Sequence, residues 1–181
     1  MVRLTKTAAV LVVVLVVVFG GTLAYKHLTG KNSVADNQPP LSAWKTITVG
    51  AFSVRLPHQP TSASATTNGV TTTMFSLGAE LDSLVVTVAQ SAQAPAVDAL
   101  VHSIASGSKL DVAATRQETI GGQPGETYRF TGTAGGQPVS AFGGAVTHGD
   151  QAIVIQYDVG GHPTATPAFI SKVLGTVAFS G

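Results

Sequence analysis

The chain has 181 residues, ten lysines and arginines against nine acidic residues, and no cysteine, which excludes disulfides and a lipid-modified cysteine anchor. Its formal charge of +1 is unevenly distributed: Arg3, Lys6, Lys26 and Lys31 crowd the amino-terminal end. Beyond Lys31, six basic residues face all nine acids, a net of −3, so no basic face for nucleic acid is available and no nucleic-acid partner is expected.

Met1 to Lys6 is short and basic, and Ala8 to Tyr25 then runs without a charge. Val10 to Phe19 is valine, leucine and phenylalanine throughout. A helix over that uncharged run reaches about 27 Å, close to a hydrocarbon core of about 30 Å. A buried helix of a soluble domain would carry a polar face, and this run has none. Residues 1–25 therefore predict a transmembrane helix acting as a signal anchor. Thr22-Leu-Ala24 also sets small residues three and one before a cut at Tyr25, so secretion after cleavage near Ala24 is the alternative. The apolar run exceeds a usual signal core of about 7–15 residues, which favours retention. Arg3, Lys6 and the amino terminus predict an inside start, with one pass through the plasma membrane and the remainder extracytoplasmic.

Residues 26–43 read as a linker, polar and unperiodic, stiffened by Pro39-Pro40. Residues 44–181 are long enough for one domain with its own core. Within it, Trp44–Val49 and Phe52–Leu56 read as short strands, the second with strict alternation before Pro57. Asn68-Gly69 marks a type I′ turn between strands at 62–67 and 70–77. Leu84–Ala89 is a strand. Val97, Leu100, Val101 and Ile104 recur at helical spacing, with Pro95 in the first turn and Gly107 at the end.

Gly-Gly-Gln-Pro occurs twice, at 121–124 and 135–138. A phosphate-binding loop requires a helix after the glycines, and neither copy has one. Extended segments at 112–120, 126–131, 139–147 and 151–159 instead predict a meander, with the glycine pairs supplying positive φ and each proline opening a strand. Thr166 reads as an N-cap with Pro167 at the first helical position, Phe169, Ile170, Val173 and Leu174 as an apolar stripe, and Gly175 as the stop. Thr176–Phe179 returns as a last short strand. The tally predicts an α+β fold: an antiparallel sheet with two amphipathic helices packed on it, preceded by one transmembrane helix.

Phe52-Ser-Val-Arg-Leu-Pro57, Gly122-Gln-Pro-Gly125 running into Tyr128-Arg-Phe130, and the closing helix leading to Val177-Ala-Phe179 resemble the PsbP/Mog1-like domain superfamily over roughly residues 44–179. They are also similar to uncharacterised envelope domains of actinobacteria. The resemblance implies an antiparallel sheet between helices and an accessory or binding role, as in lumenal photosystem subunits and a small-GTPase partner. The lipid-attachment cysteine of the lipoprotein pattern is missing, and Ala8–Tyr25 takes over its anchoring role.

Chemistry is sparsely marked. Ser106-Gly-Ser-Lys109 has the Ser-x-x-Lys spacing of penicillin-interacting serine enzymes, but there the serine opens a helix and here it closes one. His148-Gly-Asp150 and Asp158 with His162 offer metal-ligand types, yet a strand from 151 to 159 holds them about 25 Å apart. His102 falls on the polar side of the first helix and His58 in a loop between prolines. Trp44, Tyr128 and Tyr157 read as core or rim aromatics. No catalytic, metal or cofactor-binding residue is assigned and no cofactor is expected. The expected function is a non-enzymatic, membrane-anchored, extracytoplasmic binding or accessory domain with another envelope or membrane protein as partner. The alternative is a serine-dependent envelope hydrolase without a recognisable motif.

Overall fold

The computed structural model describes residues 35, 38–67, 69–79, 82–90, 94–161 and 163–180; the predicted anchor, most of the linker and His162 lie outside them. Among the described residues no helix is long and apolar enough to cross a membrane. A 3-10 turn at Leu41–Ala43 leads into β1 (Lys45–Val49), β2 (Phe52–Leu56), β3 (Thr61–Thr67), β4 (Val70–Ala79) and β5 (Asp82–Gln90). Helix α1 (Val97–Ser108) follows, then β6 (Asp111–Ile120), β7 (Gln123–Ala134), β8 (Gln137–His148), β9 (Gln151–Gly160), α2 (Ala168–Leu174) and β10 (Ala178–Phe179).

The strands form two sheets. Seven assemble in the order β3-β4-β5-β9-β8-β7-β6, antiparallel throughout, and three in the order β1-β2-β10. The expected α+β class is therefore observed. α1 lies across β6, β7 and β8 on one face of the large sheet, and α2 packs on β2, β8 and β9 on the other. The reason is legible in the central strands. Leu84-Val-Val-Thr-Val-Ala89 and Ala152-Ile-Val-Ile-Gln-Tyr157 are buried along their whole length, so both faces must be covered. Leu84, Val86, Val88, Ile153, Ile155 and Tyr157 join Trp44, Phe52, Val54 and the α2 residues Phe169, Ile170 and Val173 in one core. The alternate residues Val85, Ala89, Ala152 and Val154 join Leu100, Val101 and Ile104 of α1 with Phe130 in the other. Each fully buried side chain of this size contributes roughly 1.5–3 kcal/mol.

The repeated Gly-Gly-Gln-Pro segments are hairpin turns. Gly121 and Gly122 (φ 60° and 83°) and Gly135 and Gly136 (φ 57° and 80°) supply the paired positive φ of a type I′ turn. Each turn is only two residues long: Gln123-Pro124 and Gln137-Pro138 already pair as strand, so β7 and β8 are longer than the alternation alone indicates. At the helices, Gly107 lies inside α1, which ends on Lys109 in the left-handed region at φ 56°. Pro167, not Thr166, precedes α2, and no side-chain cap bond forms there. Gly175 stays right-handed; the helix is stopped by Thr176, whose hydroxyl donates to the Val173 carbonyl at 2.7 Å and accepts from the Arg55 amide at 3.0 Å.

A pair of glycines thins the middle of the large sheet. A Cβ on Gly143 would lie 2.2 Å from the Ile155 carbonyl oxygen and 2.5 Å from the Tyr128 hydroxyl. On the opposite face, a Cβ on Gly144 would lie 2.8 Å from Leu174 of α2. Gly143 thus admits the Tyr128 ring on the α1 side, and Gly144 admits α2 on the other.

Candidate functional site

Period-two alternation on β7 sends Tyr128 and Phe130 to the α1 side, where their rings stack at 4.3 Å. The alternate residues Thr127 and Arg129 go to the α2 side. β6 pairs with β7 so that Arg116 stands opposite Thr127 and Ala114 opposite Arg129. α2 packs chiefly on β8 and β9 and meets β6 only at Ile120, at the strand's end. Between them lies a cleft of about 450 Å³, bordered by Arg116, Glu118, Arg129, Thr166, Ser171 and Leu174 among others.

Arg129 is the half-buried charge of this cleft. One terminal nitrogen, Nη1, donates to the Thr164 carbonyl at 2.9 Å, which ties the segment before α2 to β7. Its Nε is buried and meets no acceptor among the described residues. Neither Arg129 nor the exposed Arg116 forms an ion pair with a described residue. Glu118, two residues from Arg116 along β6, instead accepts a hydrogen bond from the Thr127 hydroxyl at 3.2 Å. A planar guanidinium with unsatisfied donors is the side chain best suited to hold a carboxylate or phosphate. Ser171 also borders the cleft, but the described residues lining it include neither histidine nor lysine.

A second polar arrangement runs under α1. Tyr128 donates to Oε1 of Gln156 at 3.2 Å, and Gln156 donates through Nε2 to Asp158 at 2.8 Å. Burial pushes the Asp158 carboxyl up to about 6, partly offset by the bond from Gln156. Burial first, and then the charge of Asp158, hold the Tyr128 phenol well above its ordinary value. This chain of side chains fixes the tilt of the Tyr128 ring over Gly143.

The residues singled out in the sequence separate widely. Ser106 is exposed near the end of α1 and Lys109 is its left-handed cap. His148-Gly-Asp150 spans the turn before β9, while Asp158 sits near the other end of that strand. His148 rests against the Phe179 ring at 4.6 Å. Among the described residues no group of three or more histidines and acids is placed to hold a metal. His102 is exposed and bonded to the Asp98 carbonyl at 2.9 Å, and His58 is exposed in its loop. Trp44 and Tyr157 both pack edge-on against Phe169 in the core. Arg116 and Arg129 were not singled out by motif; the available signal was one arginine alternating between Tyr128 and Phe130 on a strand.

Among the described residues the geometry defines an α+β sandwich with an arginine-bearing cleft. No known family's sequence profile matches the chain, and no curated protein matches it. Among solved structures it is similar to PA94 of Pseudomonas aeruginosa, a protein of unknown function. That likeness has a TM-score of 0.36 at 8% identity, over 64% of this chain and 82% of that one.

Proposed function

We propose that this protein is a non-enzymatic binding domain, held on the outer side of the plasma membrane by residues 1–25, and that its cleft takes an anionic group against Arg129. The observation that carries the binding part is the Arg129 side chain: a guanidinium bordering a cleft, with a buried Nε and no carboxylate partner among the described residues. A dry donor costs about 1–3 kcal/mol when unpaired, which an anion in the cleft offsets. The anchoring part is supported by the uncharged run Ala8–Tyr25 with Arg3 and Lys6 before it. The PsbP/Mog1-like reading belongs to the same proposal, since it implies accessory binding without catalysis.

Thermal unfolding of the detergent-solubilised chain, followed by Trp44 fluorescence, tests the binding part. Inorganic phosphate or citrate at a hundred times its dissociation constant is expected to stabilise the native state by about 2.7 kcal/mol. R129Q is expected to abolish that shift, and an equal shift in R129Q overturns the reading. Carbonate extraction with protease digestion of intact cells tests the anchor. The chain is expected in the membrane pellet with its carboxyl-terminal domain digested, and recovery as a full-length soluble protein overturns that part.

A further inference from the structure

The large sheet has two edges, and they differ. β3 is exposed throughout and carries no charge, Thr61-Ser-Ala-Ser-Ala-Thr-Thr67. Three of its hydroxyls pair within its own hairpin: Thr61 with Ser76 at 2.9 Å, and Ser64 with Thr73 and Thr66 with Thr71, each at 3.0 Å. β6 is exposed from Asp111 to Thr119 and carries Arg116 and Glu118 two residues apart, hence on one face. The pairing of β6 with β7 shifts between Val112 and Ala114, a bulge that ends regular pairing on that side. The turn at Gly121-Gly122 ends it on the other. The regular stretch is therefore Ala114–Ile120, whose midpoint is Gln117.

We propose that β6 is a self-complementary edge, and that two copies of this chain pair antiparallel along it about Gln117, each Arg116 standing opposite Glu118 of the partner subunit. In an antiparallel pair, directly opposite residues share a face of the sheet, so the pleat permits only registers centred on a residue. A seam centred on Arg116 sets two arginines opposite each other, and one centred on Glu118 sets two glutamates opposite. Centring on Gln117 matches both charges at once, sets Thr115 opposite Thr119, and uses the full regular stretch, about 23 Å of strand. Opposite charges and threonine pairs favour cross-strand pairing, while like charges in the neighbouring registers oppose it. An isologous two-fold seam of this kind closes after two copies.

The fold accommodates the pairing. The two-fold axis stands normal to the joined sheet, so α2 and the β1-β2-β10 layer of both copies lie on one side. Both chains enter their first strands from that side, which suits two copies tethered to one membrane if residues 1–25 are the anchor proposed above. Arg116 borders the cleft, so the two clefts open side by side along the seam. Arg129 stays on β7, outside the seam.

Charge exchange tests the register in the full chain. The wild-type protein in detergent is expected to run as a dimer by light scattering. R116E alone and E118R alone each turn both pairs repulsive, and each is expected to weaken dimerisation about tenfold or more. Mixing R116E with E118R restores opposite charges in both pairs, and a heterodimer is expected to form from the two weakened partners. That recovery also shows that both variants fold. Because the chain lacks cysteine, Q117C places one thiol on the axis and is expected to cross-link to a covalent dimer in membranes under mild oxidation. S64C, on the other edge, is expected not to. A wild-type monomer at every concentration, a mixture that stays dissociated, or S64C cross-linking in place of Q117C each overturns the proposal. Loss of the R129Q effect on phosphate would leave the seam untouched, so the two readings fail separately.

Discussion

Gly143→Ala probes the point on which both layers of the domain depend. In a strand with open space above it, replacing glycine by alanine is expected to stabilise by roughly 0.5–1 kcal/mol, because the unfolded chain loses freedom. Here the added methyl meets the Ile155 carbonyl oxygen at 2.2 Å and the Tyr128 hydroxyl at 2.5 Å. The carbonyl belongs to the backbone of the adjacent central strand, so β8 and β9 must separate locally. Overpacking of this kind costs about 1–3 kcal/mol. Displacing the Tyr128 ring also breaks its bond to Gln156, a further loss of about 0.5–1.5 kcal/mol. Set against the glycine-to-alanine gain, the net expectation is a loss of about 0.5–4 kcal/mol, centred near about 2. Gly144→Ala is the internal control, because its methyl meets only the ends of the Leu174 and Ile120 side chains, at 2.8 and 2.9 Å, which can rotate. Its effect should stay within about 1 kcal/mol of wild type. Urea unfolding followed by the single tryptophan, Trp44, measures both. A G143A protein within about 0.5 kcal/mol of wild type, or a G144A protein less stable than G143A, refutes the account of why these two glycines stand together.

Asp158 should make stability fall as pH rises. Its folded value, about 6, lies above the unfolded value, so the native state binds the extra proton and is favoured at low pH. The advantage is lost as pH climbs from about 4 through about 6, by up to about 3 kcal/mol. D158N, which keeps the acceptor for Gln156, should remove that slope and be more stable than wild type at pH 7; an unchanged slope in urea melts at pH 4, 5, 6 and 7 refutes it. Lys109 ends α1 at φ 56°, where a side chain is strained, so K109G should raise stability by about 0.5–1 kcal/mol in the same assay. Thr176→Val removes the hydroxyl that joins α2 to β2 and leaves the Arg55 amide short of an acceptor. It should cost about 1–3 kcal/mol by thermal unfolding.

The two guanidiniums show how far local pattern reaches. That Arg129 lies opposite Tyr128 and Phe130 follows from alternation alone. What it faces does not: the cleft exists because α2, nearly forty residues later in the chain, packs chiefly over β8 and β9 and leaves the exposed part of β6 uncovered. Arg116 likewise sits in a segment that reads as an ordinary strand. Only the strand order makes that segment an edge, with one side of its backbone unpaired.

By itself the sequence determined what depends on near neighbours. The uncharged run Ala8–Tyr25, the acidic balance beyond it, the glycine-paired turns, the alternating strands and the stripes of α1 and α2 are local consequences of hydropathy period and allowed φ. Strand partnership was decided by the tertiary structure. β5 skips four elements to pair with β9, α1 carries the chain across to the far edge, and β10 closes a separate layer on β2. Several buried strands here share the same apolar pattern, so no local term distinguishes their partners. The choice falls to the arrangement that covers both faces of the central strands at once. That same choice places Arg129 in a cleft and leaves β6 open.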